Sequence, residues 1–236
     1  MKNQNKTLIL LALLILTFSL RLTAGSDDEI EKNYPVKGIR GVDIKIACEL
    51  NIRQGEEESL RISAEKDIFH LIEVEQRDSI IFLTTDEDDI NYEDWDIEVY
   101  LSVKDLNSIN IGGAAKIRNA GTLKTNKLTL DISGAADLEM DIDVQKLLAD
   151  FSGAVKAELE GMADYVVMDM SGASKVDAED LITKAFYLDF SGFGKAEVYA
   201  EDVLKIDMSG MGVVRYSGNP KKVEGDSSGL GVIKAK

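Results

Sequence analysis

Cysteine, histidine and proline are scarce in this chain of 236 residues, which has one, one and two of them. A single cysteine, Cys48, excludes an internal disulfide, and we expect a small buried side chain there because alternate residues around it are apolar. A single histidine, His70, excludes a histidine-rich zinc site, and the repeated serines have no adjacent base with which to form a Ser-His-Asp triad. The two commonest constellations of hydrolytic chemistry are therefore missing.

Basic residues are also fewer than acidic ones. Lysine and arginine total 27 against 43 aspartates and glutamates, so the formal net charge is −16. Such an acidic surface repels phosphate backbones, which argues against a nucleic-acid partner. The same charge favours solubility outside the cell.

A long hydrophobic run occurs only near the start of the chain. Lys2 and Lys6 precede the apolar stretch 8–20, and small residues follow at 23–25. This pattern predicts a signal peptide over residues 1–24, because a membrane anchor, the alternative, needs about 20 apolar residues. Removal of Lys2, Lys6 and Arg21 would take the net charge from −16 to −19. We therefore expect an exported protein in the periplasm, on the outer-membrane surface or outside the cell.

The second half of the chain contains a repeat of 18–21 residues. Its most regular element is a glycine, at Gly113, Gly134, Gly153, Gly172, Gly192, Gly210 and Gly229. Apolar and polar residues alternate on both sides of each glycine, which is typical of strands with one buried face. No repeat contains a dozen residues with helical periodicity, so helices cannot connect the strands.

One repeat cannot bury its own apolar face and must stack on its neighbours. The sequence therefore predicts an all-β protein, a right-handed parallel β-helix of about seven coils over residues 108–236. We expect each glycine to form a corner with positive φ, where the preceding aspartate and serine accept hydrogen bonds from backbone N–H groups.

Residues 25–107 contain strands without the glycine repeat, including one predicted over 44–52 and a helical turn over 67–71. We expect this region to form an N-terminal cap on the first coil, because an open solenoid end exposes apolar side chains. At the other end, Lys234 and Lys236 are expected to discourage edge-to-edge pairing.

A column of carboxylates precedes the corners. Its members, one per coil, are Asp131, Asp150, Asp169, Asp189 and Asp207, with Asn110 and Asp226 at its ends. We favour solvated side chains that cap turns, and no metal ion or cofactor is required. Calcium bridging is the alternative, since like charges repeating every ~4.8 Å repel one another.

Two further acidic or mixed-charge features have less specific interpretations. A row beside the carboxylate column carries both signs, at Lys116, Asp137, Lys156, Lys175 and Lys195. It predicts an exposed face with modest pairing, or a flat docking surface for a glycan or a protein. The acidic stretch 86–96 lacks the glycine of a calcium-binding EF-hand loop, so a solvated loop is expected, with Trp95 packing at the start of a strand.

Several segments together resemble the bacterial putative auto-transporter adhesin, head GIN domain family. They are the stretches 42–46 and 51–60, the strand 97–103 with Asp105 and Leu106 after it, and the repeated Ser-Gly-Ala corners. The resemblance covers residues 36–236 and implies a β-helix similar in outline to pectin lyases. It also implies export in Bacteroidetes-like bacteria and a role in adhesion, and it supplies no catalytic residues.

These features favour a non-enzymatic adhesion module that presents a repetitive polar face to a glycan or a host or cell-surface protein. Two alternatives remain open. A polysaccharide-active enzyme would need irregular loops around a cleft, which such uniform coils do not provide. A structural subunit of the cell envelope would self-assemble as a homo-oligomer through its coil ends or faces.

Overall fold

The computed structural model describes residues 29–85 and 96–236. The predicted signal peptide lies outside the described residues, as do Trp95 and nearly all of the acidic stretch 86–96. Within the described ranges there is one helical turn, α1 (Lys66–Phe69), and no helix is long and apolar enough to cross a membrane. The strands are β1 (Glu29–Tyr34), β2 (Gly41–Ile44), β3 (Cys48–Gln54), β4 (Ser59–Glu65), β5 (Glu73–Arg77), β6 (Ile80–Thr84), β7 (Glu98–Val103), β8 (Ser108–Ile111), β9 (Ala114–Ala120), β10 (Leu123–Ile132), β11 (Ala135–Phe151), β12 (Ala154–Met170), β13 (Ala173–Ala178), β14 (Leu181–Phe190), β15 (Phe193–Ala200), β16 (Val203–Met208), β17 (Met211–Gly218), β18 (Lys222–Ser227) and β19 (Val232–Ala235).

The seven glycine repeats form the coils of a parallel β-helix, which confirms the predicted architecture. Strands that lead into the corner glycines stack on one side, called face A, and strands that leave them stack on another, called face B. On face A, Asp131 pairs with Asp150, and Asp150 with Asp169. On face B, Ala135 pairs with Ala154. Equivalent residues of successive repeats therefore lie directly above one another.

Two more layers continue the stack on the N-terminal side. On face A, β2 lies between β6 and β8, and on face B, β3 lies between β7 and β9, all in parallel. The parallel ladder thus crosses the predicted division at residue 107. The continuous strand predicted over 44–52 is wrong, because Lys45, Ile46 and Ala47 form a corner between β2 and β3.

The first layer is covered by antiparallel strands. β4 pairs with β7, β1 pairs with β4, and β5 pairs with β6. These strands supply partners for backbone groups at the edges of β6 and β7 that would otherwise be open to other chains. The region before the repeats therefore contributes both stacked layers and a cover.

The interior is a single apolar cluster that runs the length of the stack. One of its columns alternates aromatic and thioether side chains. Phe151, Met170, Phe190 and Met208 each follow one of the paired aspartates of four successive coils and are fully buried. Methionine sulfur packs favourably against aromatic rings, and each such side chain contributes about 1.5–3 kcal/mol by leaving water.

The corner glycines are needed for a reason other than the predicted one. None of them has positive φ, so that prediction is wrong. A Cβ on Gly134 would lie 1.8 Å from the carbonyl oxygen of Gly113, and one on Gly153 would lie 1.8 Å from that of Gly134. The backbones of successive coils approach so closely at the corner that only a residue without a side chain fits there.

Corner N–H groups are satisfied by the main chain. Ser133 and Gly134 both donate to the carbonyl of Ile111, at 3.0 and 3.2 Å, and Ala135 donates to that of Gly113 at 3.0 Å. In the described part of the chain, Asp131 and the aspartates stacked on it accept no hydrogen bond from a corner N–H. The predicted turn-capping role of the column is therefore wrong.

Candidate functional site

A shallow groove of about 930 Å³ follows face B just beyond the corners. It extends from Ile97 and Cys48 at one end to Phe193 and Gly194 at the other. The groove therefore spans seven stacked layers, or ~29 Å at the usual spacing of about 4.8 Å per strand. We call it the alanine groove after the residues of its floor.

The floor is a column of exposed methyl groups. Ala114, Ala135, Ala154 and Ala173 follow the corner glycines of four successive coils, pair in register and are exposed. The next member of the column is Phe193, whose side chain is large and 64% exposed. The small side chains create the groove, and the phenyl ring closes one end.

Lysines line one edge of the groove. Its residues are Lys116, Asp137, Lys156, Lys175 and Lys195, which lie two positions beyond the floor column. Three of the lysines are neutralised. Lys116 lies 3.5 Å from Glu49, Lys156 lies 3.1 Å from Asp137, and Lys195 lies 2.5 Å from Glu197. Lys175 has no partner among the described residues, which makes it the free cation of this edge.

Ser174, next to Lys175 in β13, is a buried polar residue. It lines the groove, is only 4% exposed, and its Oγ has no hydrogen-bond partner among the described residues. The equivalent positions in neighbouring coils are Val155 and Gly194, neither of which has a side-chain polar atom. An unsatisfied buried hydroxyl costs about 1–3 kcal/mol, and because neighbouring strand residues point to opposite faces, this one faces the interior of the stack while Lys175 faces the groove.

Cys48 lies at the opposite end of the groove. Burial raises the pKa of its thiol to about 12, because the thiolate would be poorly solvated there. The thiol is therefore protonated and unreactive at neutral pH. This confirms the expectation of a small buried residue.

Glu197, next to the groove, is the most strongly paired carboxylate on face B. Lys195 is its main partner at 2.5 Å, with Lys236 at 3.1 Å and Arg215 at 3.5 Å. Hydrogen bonding to Lys195 chiefly lowers its pKa to about 2. The stabilisation from this cluster is thus complete at neutral pH and is lost as the pH falls from about 4.5 toward about 2.

The carboxylate column runs along face A. Asp131, Asp150, Asp169, Asp189 and Asp207 pair in register, as the repeat predicts. Burial, followed by repulsion from Asp189 and Asp150, raises the pKa of Asp169, and its Oδ1 is buried without a hydrogen-bond partner. Among the described residues, no three histidine, cysteine, aspartate or glutamate side chains are placed to hold a metal ion.

Replacing Asp169 by asparagine should stabilise the protein at neutral pH. A carboxyl group with a raised pKa binds its proton more tightly in the folded chain, so its ionisation costs stability as the pH rises above 3.8. Removing the charge should gain about 0.5 kcal/mol, or about 1–2 °C in Tm. The measurement is thermal unfolding at pH 7 and at pH 3.

The matched control for this variant is Asp180→Asn, which removes an exposed carboxylate away from the column. The Tm gain of Asp169→Asn should disappear at pH 3, where the native carboxyl group is protonated. An equal gain at both pH values would show that charge repulsion in the column is not its cause.

Sequence patterns identified only part of the groove. The mixed-charge row was recognisable, and the structure places it at the groove edge. The alanine floor was missed, although alanine directly after the corner in four repeats was a usable signal. Lys175 lacks an acidic partner among the described residues because of the residues that lie beside it in the neighbouring coils. These neighbours can be identified only when the register of the strands is known.

Comparison with known proteins identifies one matching family. A family model described as "Putative auto-transporter adhesin, head GIN domain" matches residues 40–220. No curated protein matches the chain. The family match covers the N-terminal layers, the alanine groove and most of the glycine repeats.

Several crystal structures share the fold. A "putative adhesin" from Bacteroides fragilis is 22% identical with a TM-score of 0.82, over 89% of this chain and 98% of that one. A "putative adhesin" from Parabacteroides distasonis is 17% identical with a TM-score of 0.67, over 90% and 98%. A "putative lipid binding protein" from the same species is 14% identical with a TM-score of 0.65, over 90% and 98%. At such identities the likeness establishes the fold alone.

Proposed function

The chain belongs to the putative auto-transporter adhesin, head GIN domain family, and we propose that it is an exported, non-catalytic module that binds other surfaces through the alanine groove. The names of similar structures, adhesins and a lipid binding protein, all describe binding roles. Export to the cell surface agrees with the predicted signal peptide and with the acidic composition.

The alanine groove is the observation that carries this proposal. Contiguous apolar surface bordered by polar residues marks interaction sites on soluble proteins. This groove combines an exposed apolar floor with a free cation, Lys175, on a chain whose net charge is −16. It is also the same over several coils, so it suits an elongated ligand.

The chemistry of the groove favours binding over catalysis. Acid and base catalysis requires groups whose protonation can change during the reaction. Near the groove centre Asp137 is paired with Lys156, and at one end the Cys48 thiol stays protonated. A glycan or a cell-surface protein can bind such a surface without any reaction.

Blocking the groove should weaken adhesion at least tenfold. In Ala154→Trp, a large side chain fills the middle of the floor at an exposed position, so the fold should persist while the ligand is excluded. The control Val167→Trp places the same residue at an exposed position on face A. Biolayer interferometry of the full chain against a glycan array and extracellular-matrix proteins measures binding.

We expect each partner found in this screen to bind the native protein and Val167→Trp equally. Ala154→Trp should bind at least tenfold more weakly, with circular dichroism and Tm unchanged. Equal binding by both variants would show that adhesion uses a different surface.

A further inference from the structure

We propose that Tyr165 and Tyr187 are a modification site, at which oxidation forms a carbon–carbon bond between the two rings and so links two successive coils. The co-reactant is hydrogen peroxide, consumed by a haem peroxidase. The pair lies on face A, away from the alanine groove, so this cross-link is separate from the proposed function. The distance between the rings, their exposure and the lack of a competing partner support it.

The two rings lie side by side in neighbouring layers. Tyr165 of β12 pairs with Ala185 of β14, whose small side chain leaves room for the ring of Tyr187 two residues further on. The ring centroids are 4.9 Å apart, and the ring planes are inclined by 33°. Both side chains leave face A in the same direction, and their hydroxyl groups share a hydrogen bond. The ortho carbons beside each hydroxyl-bearing carbon are therefore neighbours as well.

Both tyrosines are accessible to an oxidant. Their side chains are half-buried, and Val167, which pairs with Tyr187, is 37% exposed. The Nζ atom of Lys146 lies 5.4 Å from the centroid of the Tyr165 ring. Lys146 belongs to the preceding coil, so it covers the side of that ring that faces away from Tyr187. The edges of both rings stay open to solvent.

Other tyrosines have no ring with which to couple. Among the described residues, no other two tyrosine rings are in contact. Tyr100, for example, donates its hydroxyl hydrogen to Glu98, and its ring lies 4.1 Å from the guanidinium carbon of Arg61. Two oxidised tyrosines of one folded chain therefore meet at Tyr165 and Tyr187.

The coupling is balanced in electrons and protons. The peroxidase removes one electron from each phenol, and each phenolic proton passes to water, which leaves two phenoxyl radicals. The unpaired spin of each radical is shared with its ortho carbons, so two of these carbons form the new bond. Each bonded carbon then releases its hydrogen as a proton, and each oxygen takes a proton back. One peroxide molecule accepts two electrons and two protons and becomes two water molecules.

This bond would be the covalent link that the cysteine content does not allow. A single free cysteine excludes an internal disulfide, so hydrogen bonds and packing join successive coils. Tyr165 and Tyr187 are 22 residues apart, which is about one coil. A bond between them closes a loop of that length and restricts the unfolded chain, which stabilises the folded one.

Treatment of the dilute full chain with a haem peroxidase and hydrogen peroxide tests for this bond. We expect dityrosine fluorescence from the monomer. Mass spectrometry after proteolysis should find a linked pair of peptides, containing Tyr165 and Tyr187 and lighter than their sum by two hydrogen atoms. Its yield should exceed that of every other tyrosine pair at least tenfold. The Tm of the linked protein should rise by about 5–10 °C.

Two variants identify the reacting groups. Tyr187→Phe keeps the ring and removes the phenol, so the chain should fold normally and lose the linked peptides. The matched control Tyr199→Phe removes a half-buried phenol from face B and should keep them. Linked peptides in equal yield from Tyr187→Phe would overturn the proposal. Their absence from the native chain, in a reaction that couples free tyrosine, would also overturn it, and neither outcome bears on binding at the alanine groove.

Discussion

Replacing Gly153 by alanine is expected to destabilise the protein by about 3 kcal/mol or more, because a single methyl group meets rigid backbone. The added Cβ would lie 1.8 Å from the carbonyl oxygen of Gly134 and 2.6 Å from that of Ser133. Neither oxygen can withdraw without breaking the ladder between two coils. Urea unfolding followed by circular dichroism measures the loss.

The control for this variant is Gly225→Ala. Gly225 lies within β18, where an added Cβ would come no closer than 3.6 Å to the Cδ1 atom of Ile233, an ordinary contact. Alanine there should change the free energy of unfolding by less than about 1 kcal/mol. If Gly153→Ala were equally mild, close packing of successive corners could not explain the glycine column.

Deleting residues 150–168 should leave a foldable protein, whereas deleting residues 150–159 should prevent folding. The first deletion removes one complete repeat of 19 residues and joins Ala149 to Asp169, which occupies the position of Asp150 one layer on. Each remaining coil then meets a neighbour with the same columns. The second deletion shifts every later column by about half a coil and brings polar positions into the interior.

Circular dichroism and size-exclusion chromatography distinguish these outcomes. The full-repeat variant should be a compact β protein with a reduced Tm, since stability in a stack depends on the number of interfaces. The half-repeat variant should be unfolded or aggregated. Equal damage from the two deletions would mean that the coils are not equivalent units.

The periodic part of the fold was predictable because burial and register repeat with the sequence. Alternation around Leu130 and Ile132 identified the inward face, and the spacing of the aspartates placed them one above another. Positive φ at the corners was a reasonable expectation from glycine alone. The true cause, a close approach of backbone from the next coil, involves residues about 19 positions away and has no local signature.

The layer built by β2 and β3 could not be predicted in the same way. Its corner is Lys45-Ile46-Ala47, without the serine and glycine that mark the other corners, so the alternation there predicts an unbroken strand. Similarly, Ser174 looked like any residue of the repeat. Its hydroxyl is left without a hydrogen-bond partner among the described residues because neighbouring coils place Val155 and Gly194 beside it, and both lack a polar side-chain atom.

The position of β2 between β6 and β8 has a consequence for how the protein assembles. The strand β2 comes first in the sequence. The chain next forms β6 on one side of it and then crosses over to form β8 on the other side. Its two exposed edges are therefore completed by segments 39 and 67 residues further along the chain, as the pairs Gly41–Ile80 and Gly41–Ser108 show. Early folding must close these long loops, which slows nucleation, whereas every later coil needs only the preceding one as a template. Growth of the stack should thus be slow to start and rapid afterwards, in one direction along the solenoid.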